Sequence, residues 1–271
     1  MKIVFSANQF FYIYKFRSKV IEAIRMQGHD IEIVCGDDKY RNKIEAAGFK
    51  THILNIQSNK TNPFMDMYLI IQYLITYFSI KPDLIFHSTI KSNIYGSLAS
   101  RLLGIKTVNN ISGLGTVFFK KNLTQAITIY LYKISQKKVH SIFFQNDDDL
   151  SFFINQSICH KSQSKRLPGS GISINDYSPN KFKKARKNNF RFIFIGRLVR
   201  EKGILEYIEA AKIVISKYKN IECLIIGDFN TKNKSSIKKS DFNKLIQDYS
   251  AIKFLGFQDD VRSFMLKSEC V

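Results

Sequence analysis

The chain has 271 residues, of which 45% are hydrophobic, and a formal net charge of +20. This length can hold two α/β domains of modest size or one large one. The charge predicts attraction to phosphate-rich surfaces, either nucleic acid or anionic lipid, unless it only serves solubility. The sequence contains no zinc finger, RNP motif or heptad-linked basic region, so we expect no nucleic-acid partner and favour an anionic membrane surface and nucleotide phosphates. The four cysteines are far apart and form no C-x-x-C pair, which disfavours a zinc site or a disulfide framework and fits a reducing cytosol.

Short apolar segments alternate with longer amphipathic segments along the chain. Strands are predicted at 2–6, 31–35, 51–54, 83–87, 106–110, 141–145, 191–196, 222–227 and 252–255. Helices are predicted at about 15–28, 39–47, 64–80, 92–103, 123–137, 147–155, 203–218, 239–249 and 259–267. This alternation predicts the α/β class with doubly wound parallel sheets, in which ligands bind at the carboxyl ends of the strands.

A polar basic run at 181–189 has no hydrophobic periodicity, which is typical of a linker. We therefore predict a first domain at 1–171, a linker at 172–190 and a second domain at 191–271.

An aromatic segment follows the first predicted strand. Phe11, Tyr14 and Phe16 alternate there with Lys15 and Arg17. Such a segment suits a lipid headgroup and a diphosphate acceptor. The alternative, that these aromatic residues form the core at a helix start, is equally compatible with the pattern.

The helix predicted at 64–80 is apolar on nearly all sides. Its uncharged part, Met67 to Ile80, has 14 residues and is too short to span a bilayer of about 30 Å. One helical stripe contains Phe64, Met67, Tyr68, Ile71, Leu74, Ile75 and Phe78. A helix of this kind is either buried or lies in a membrane interface, and we favour burial.

Four further residues in the first domain lie at or after the predicted carboxyl ends of strands. His87 ends its strand and is a candidate ligand contact, although a lone histidine there is more often structural. Lys91 begins the next helix, where it could bind an acceptor phosphate or be solvated. Gly113 and Gly115 follow the next strand, where two glycines let a backbone approach a ligand closely.

The segment from Phe194 to Gly203 combines a buried strand, a glycine turn and a helix start. Backbone N–H groups and the helix dipole make such a turn an anion site. Arg197 adds a planar fork that matches phosphate, and Lys202 adds a point charge. A solvated helix start is the alternative. Asp147, Asp148 and Asp149 precede a predicted helix and are interpreted as stabilising its start rather than as metal ligands.

Four segments, in this order, resemble motifs of glycosyltransferase family 4. They are PDLIFHSTIK with NIYG at 82–96, ISGLGTVF at 111–118, PGSGI with DYSP at 168–179, and FIGRLVREKGILEYIEAA at 194–211. In addition, Gly256 to Val261 resembles the GF.DDV turn of that family. The 111–118 segment resembles a loop found in the branch of this family that builds bacterial surface polysaccharides.

The resemblance implies a GT-B fold of two Rossmann-like domains and a retaining transferase. It implies that Arg197 and Lys202 stabilise the leaving diphosphate and so act as catalytic residues. It further implies that the donor lies against Gly196, Gly256, Phe257 and Val261, and that no metal or other cofactor is needed. Many members have histidine where this chain has Ser112. Serine can hydrogen-bond a sugar hydroxyl at this position but cannot replace the histidine as a cation near neutral pH.

The family's two glutamates, eight positions apart, would follow beyond residue 271, so we expect an incomplete second domain and little activity of the chain alone.

The resemblance therefore predicts transfer from a nucleotide sugar, most plausibly a UDP-sugar, to a polyprenyl-diphosphate-linked saccharide in surface polysaccharide, O-antigen or capsule synthesis. The protein would be cytoplasmic and peripheral on the inner face of the cytoplasmic membrane. The alternatives are an inactive fragment that only binds nucleotide, and a GT-B epimerase that acts on UDP-N-acetylglucosamine. The R-L-x-x-E-K-G spacing disfavours the epimerase.

Overall fold

The structure is a computed structural model that describes residues 1–57, 62–115, 118, 122–178, 189–229 and 235–271. The chain divides into two compact units, a first unit at 1–171 and a second unit at 172–271. Most of the basic run at 181–189 that suggested a linker lies outside the described residues, since these omit 179–188.

The first unit is built on a parallel sheet of seven strands in the order β3-β2-β1-β4-β5-β6-β7. The strands are β1 Lys2–Ala7, β2 Asp30–Gly36, β3 Lys50–Leu54, β4 Leu84–Ser88, β5 Lys106–Ile111, β6 Ser141–Phe144 and β7 Ser164–Arg166. The chain moves outward in one direction from β1 to β3 and in the other from β4 to β7. The carboxyl ends of β1 and β4 therefore form a topological switch point, where open α/β sheets bind ligands.

Helices cover both faces of this sheet. They are α1 Phe10–Phe16, α2 Ser18–Met26, α3 Arg41–Ala46, α4 Pro63–Ile80, α5 Ser97–Leu102, α6 Leu123–Gln136 and α7 Asp147–Asn155, with a π-helical turn at Ser92–Gly96 and a 3₁₀ turn at Lys161–Gln163. Successive residues of β1 serve the two faces: Ile3 and Phe5 pack with α1 to α3, and Val4 packs with α4 to α7. This alternation is the period-2 pattern of a strand that is buried on both sides.

The structure has two helices, α1 and α2, where one was predicted at 15–28, and α1 begins earlier than predicted, at Phe10. The aromatic segment after β1 is therefore helical. Phe10 and Ile13 are buried, whereas Phe16 remains exposed. The strand β7 and the π-helical turn were not predicted.

The burial predicted for the apolar stripe of α4 is wrong. The side chains that α4 buries are Leu69, Tyr73, Tyr77 and Ile80. Six side chains of the predicted stripe are between 45% and 87% exposed: Phe64, Met67, Tyr68, Ile71, Ile75 and Phe78. Within the described ranges, no helix is long and apolar enough to cross a membrane.

The second unit has a parallel sheet of three strands in the order β10-β9-β8. Its elements are β8 Phe190–Ile195, a 3₁₀ turn at Arg200–Lys202, α8 Ile204–Lys217, β9 Ile221–Ile226, α9 Lys239–Ile246, β10 Ile252–Phe254 and α10 Arg262–Leu266. A core that includes Leu198, Ile208 and Phe242 holds the helices on the sheet. The first unit therefore has the doubly wound α/β pattern that the sequence predicts, and the second unit has a smaller parallel α/β sheet whose strands follow one another in a single direction.

Candidate functional site

Three glycines form a row across the carboxyl ends of the second sheet. Gly196 follows β8, Gly227 follows β9 and Gly256 follows β10. The N–H of Gly196 donates to the carbonyl of Ile226, and the N–H of Gly227 donates to the carbonyl of Gly256, each at 3.0 Å. A Cβ atom at position 227 would overlap the carbonyl oxygen of Gly196. This glycine row leaves the sheet edge without side chains, so a ligand can approach the backbone closely.

Arg197 and Lys202 lie directly after this edge and are both exposed. The chain between them is pinned, because Leu198 is buried and its N–H donates to the carbonyl of Asp228 at 3.1 Å. Gly203 has a φ of 75° and is the N-cap of α8, a helix of 14 residues. The two cations therefore stand on a fixed turn at the N-terminus of a long helix, where backbone N–H groups and the dipole favour an anion.

Acidic side chains lie beside these cations. A hydrogen bond with Ser235 lowers the pKa of Glu201, and the charge of Arg197 lowers it further. Glu206 lies in the first turn of α8. The turn thus carries charges of both signs, and among the described residues no ion pair holds Arg197 or Lys202.

The turn after β10 contains one exposed aromatic residue and one partly buried aliphatic residue. Phe257 is half-exposed, and Val261 packs partly buried beside Ile193, Leu224 and Ile226. The helix expected from residue 259 begins at Arg262, and the carboxylate of Asp260 accepts from its backbone N–H at 3.0 Å. Val261 therefore serves the packing of the turn.

In the first unit, Asn8 and Thr89 join the carboxyl ends of β1 and β4 at the switch point. The backbone N–H of Asn8 donates to Oγ1 of Thr89 at 2.9 Å, and this hydroxyl donates to Oδ1 of Asn8 at 2.7 Å. Thr89 has a φ of 75°, which a β-branched residue rarely adopts. Such strained residues cluster at ligand sites. No sequence pattern predicted this pair.

Ser112, Gly113 and Gly115 lie exposed after β5, at the same edge of the sheet. Gly113 has a φ of 148° and Gly115 a φ of 76°, a region that favours glycine. A Cβ atom on Gly115 would lie 3.2 Å from Ile90, so this loop runs close to the one that follows β4.

His87 is completely buried, and its surroundings support the structural alternative. The amide of Gln136 donates to the carbonyl of Asn93 at 2.8 Å, so its Oε1 is left to accept from Asn109 at 2.6 Å. Oδ1 of Asn109 then accepts from Nδ1 of His87 at 3.0 Å, and Nε2 accepts from the hydroxyl of Tyr77, also at 3.0 Å. This buried chain fixes a neutral ring, and burial lowers the pKa of His87 to about 4.

Lys91 is buried, so the alternative that it is solvated is wrong. Its Nζ lies 2.6 Å from Oδ1 of Asp66, and both side chains are largely shielded from solvent. The side chain of Lys91 therefore links the start of the π-helical turn to the first turn of α4.

The aromatic segment that begins after β1 packs on α3. Phe11 meets Tyr40 edge to face at 5.1 Å between ring centroids, and its N–H donates to Asp38 at 2.8 Å. Nζ of Lys15 lies 5.7 Å from the centroid of the Tyr40 ring. These contacts favour the helix-core alternative for Phe11.

Asp147, Asp148 and Asp149 lie in the first turn of α7, as predicted. Asn146 is the N-cap, and its Oδ1 accepts from the backbone N–H of Asp149 at 2.7 Å. In the part of the chain that the structure describes, no group of three or more His, Cys, Asp or Glu residues could hold a metal ion.

Comparisons with known proteins agree with this geometry. Residues 2–146 match the model of the glycosyl transferase 4-like family, and residues 176–271 match that of the glycosyl transferases group 1. The chain therefore belongs to the glycosyl transferase 4-like family, and its fold is of the GT-B type.

Two curated relatives are similar over most of this chain. The N,N'-diacetylbacillosaminyl-diphospho-undecaprenol alpha-1,3-N-acetylgalactosaminyltransferase of Campylobacter jejuni is 23% identical, over 96% of this chain and 71% of its own length. The capsular polysaccharide biosynthesis glycosyltransferase CapM of Staphylococcus aureus is 25% identical, over 89% of this chain and 64% of its own length. The chain thus spans about two thirds of the length of these relatives.

Among solved structures, Anabaena HepE in complex with UDP and glucose superimposes with a TM-score of 0.75. It is 16% identical and is matched over 99% of this chain and 72% of its own. At this identity, the likeness confirms the predicted fold.

Proposed function

We propose that this protein transfers a sugar from a UDP-linked donor to a saccharide carried on a polyprenyl diphosphate, with retention of configuration. The observation that carries the proposal is the glycine row beside Arg197 and Lys202 at the N-terminus of α8. A bare backbone edge, two exposed cations and a helix N-terminus together suit a diphosphate. The product would enter a surface polysaccharide such as O-antigen or another lipopolysaccharide component, or a capsule.

The names of similar proteins support the choice of donor and acceptor. The Campylobacter relative is named for an undecaprenol-linked diphosphate acceptor, and HepE was crystallised with UDP and glucose. A lipid-linked acceptor also fits the net charge of +20, because the reaction would then take place at an anionic membrane. The proposed location is the inner face of the cytoplasmic membrane, with the protein bound peripherally.

In the proposed reaction, the bond between the sugar C1 and the diphosphate oxygen breaks and its electron pair stays on that oxygen. An acceptor hydroxyl forms a new bond to C1 and passes its proton to an oxygen of the departing diphosphate. Negative charge grows on the departing UDP, and Arg197 and Lys202 stabilise it. Groups that bind the leaving diphosphate more tightly in the transition state raise the rate directly. We propose that these cations supply the stabilisation that a divalent metal would otherwise provide.

The proposal is tested with the purified chain, a series of UDP-sugars and a synthetic lipid-diphosphate-linked saccharide. A low but acceptor-dependent release of UDP, with an α-linked product from an α-linked donor, is expected. UDP binding without turnover would reject transfer by this chain and leave only the nucleotide site. Conversion of UDP-N-acetylglucosamine to its 2-epimer without any acceptor would support the epimerase alternative.

A further inference from the structure

The outer side of α4 presents a continuous apolar surface to solvent. We call it the α4 face; its side chains are Phe64, Met67, Tyr68, Ile71, Ile75 and Phe78. They recur every three or four residues along a helix of 18 residues, which is about 27 Å long. An exposed apolar strip of this length on a folded chain indicates a contact site.

The helix that carries this face is firmly fixed to the first unit. Leu69, Tyr73 and Tyr77 are buried in the core beneath it. At its start, the side chain of Asn62 accepts from two backbone N–H groups, and Asp66 pairs with Lys91 at 2.6 Å. The α4 face is therefore carried by a helix that is fixed to the core of the first unit.

Cations gather at one end of this helical layer. The helices α4, α5 and α6 return from the carboxyl edge of the sheet to its amino edge, so the segments that follow them lie together there. Five exposed basic side chains are found on the last turn of α5 or just after these helices: Lys81, Arg101, Lys106, Lys137 and Lys138. On the same layer, α6 also exposes Leu123, Ile127 and Tyr130.

Charge decides between the possible occupants. A protein partner would have to supply carboxylates for these cations, and a second copy of a chain with 42 basic and 22 acidic residues is poorly suited to that. Anionic headgroups supply the charge, and the interfacial region of a bilayer accepts Phe, Tyr and aliphatic side chains.

We propose that the α4 face lies in the interfacial region of an anionic membrane, with α4 parallel to the bilayer and the cations at the headgroups. The inference deepens the proposed function and rests on it for the membrane-bound acceptor. Its test uses vesicles without any sugar donor or acceptor, so that its failure leaves the transfer reaction untouched.

The first experiment exploits the absence of tryptophan from the chain. Phe78→Trp places a single tryptophan on the α4 face, and Met26→Trp places one on an exposed position of α2, on the opposite side of the sheet. With vesicles of phosphatidylglycerol and brominated phosphatidylcholine, emission of the Phe78→Trp protein should shift to the blue and be quenched. The Met26→Trp protein should show neither effect. Equal behaviour of the two proteins would overturn the proposal.

The second experiment measures partition onto phosphatidylglycerol/phosphatidylcholine vesicles. Ile75→Ser/Phe78→Ser should lower the partition coefficient at least about tenfold, since even one large apolar side chain contributes that much when buried. The matched control, Val20→Ser/Met26→Ser, removes exposed apolar residues from α2 and should bind as the unchanged protein does. UDP affinity without vesicles should be the same in all three proteins.

Three results of the second experiment would contradict the proposal. One is wild-type partition of the α4 variant. Another is a dimeric unchanged protein whose α4 variant is a monomer with unaltered vesicle binding, because a second copy would then cover the face. Loss of binding only in Lys15→Gln/Arg17→Gln would assign the contact to α1 and would also overturn it.

Discussion

The carbonyl oxygen of Gly196 occupies the space that a Cβ atom on Gly227 would need. Gly227 does not have a positive φ, so its requirement for glycine is one of space alone. The ends of β8 and β9 are thereby closer than any other residue at position 227 would allow. The bare edge that we assign to the diphosphate depends on this approach.

Gly227→Ala should therefore affect both stability and ligand binding. Forcing a methyl group against a backbone carbonyl costs about 1–3 kcal/mol, and the shifted strand ends should lower UDP affinity roughly tenfold. Chemical denaturation and calorimetry measure the two effects. Gly104→Ala is the control, since Gly104 has a φ of 70° but no atom near its Cβ position. It should cost about 1–2 kcal/mol and leave UDP affinity intact.

Arg197→Ala and Lys202→Ala should each weaken UDP binding about tenfold at low salt, because a charge-assisted contact is lost. The difference from the unchanged protein should shrink as salt is added, since the contacts are ionic and exposed. Lys217→Ala removes the same charge at the far end of α8 and should have little effect. Equal UDP affinities in the two site variants and the control would disprove the assignment.

The Asp66–Lys91 pair should show strong coupling in a double-mutant cycle. Asp66→Asn leaves a shielded ammonium group without its carboxylate and should cost about 2–3 kcal/mol of unfolding free energy. The double variant Asp66→Asn/Lys91→Met should cost less than the sum of the single changes, by more than about 1 kcal/mol.

The exposed pair Lys19–Glu22, at 3.3 Å, provides the comparison for that cycle. Its coupling should stay below about 0.5 kcal/mol. Similar coupling energies for the two pairs would mean that the shielding of Lys91 has no energetic consequence.

His87 should make stability depend on pH in a defined window. Its pKa is lowered to about 4 by burial, whereas an unfolded chain has a histidine pKa of about 6.5. The unfolded state therefore binds the proton first, and the free energy of unfolding should fall by about 3 kcal/mol as pH drops from 6.5 to 4.

His87→Gln removes this titration. The variant is expected to be less stable at pH 7, since hydrogen bonds to Tyr77 and Asn109 are disturbed. Its free energy of unfolding should, however, change less between pH 6.5 and 4 than that of the unchanged protein. Denaturant unfolding at several pH values measures the difference. The exposed His140, changed to Gln, should retain the full dependence; parallel curves for the His87 variant and the unchanged protein would contradict the prediction.

The α/β fold was largely predictable because alternation of strands and helices is a local signal. Which side of α4 is exposed could not be predicted, because nearly all sides of this helix are apolar in sequence and the sheet can cover only one of them. The sequence pattern shows which residues of a helix are apolar, but it does not show whether protein or solvent lies against each of them. The edge strand β7, Ser164–Arg166, is polar and carries no hydrophobic period at all.

In the candidate site, too, some residues could be predicted from the sequence and others could not. Gly196, Arg197 and Lys202 lie within seven residues of one another, so their turn could be predicted from the local pattern. Asn8 and Thr89 are 81 residues apart and meet only because β1 pairs with β4. Lys91 likewise finds Asp66 across 25 residues, and no local signal indicates that pairing.

The buried chain from Tyr77 through His87 and Asn109 to Gln136 constrains how this protein can change over time. Each side chain supplies the one hydrogen-bonding group that its neighbour lacks, and Gly96 leaves room for the imidazole ring. A single replacement strands a buried polar group, whereas a joint replacement by apolar residues of similar volume leaves none unsatisfied. Among homologous sequences, these positions should therefore covary, with whole polar or whole apolar sets surviving and mixed sets being rare.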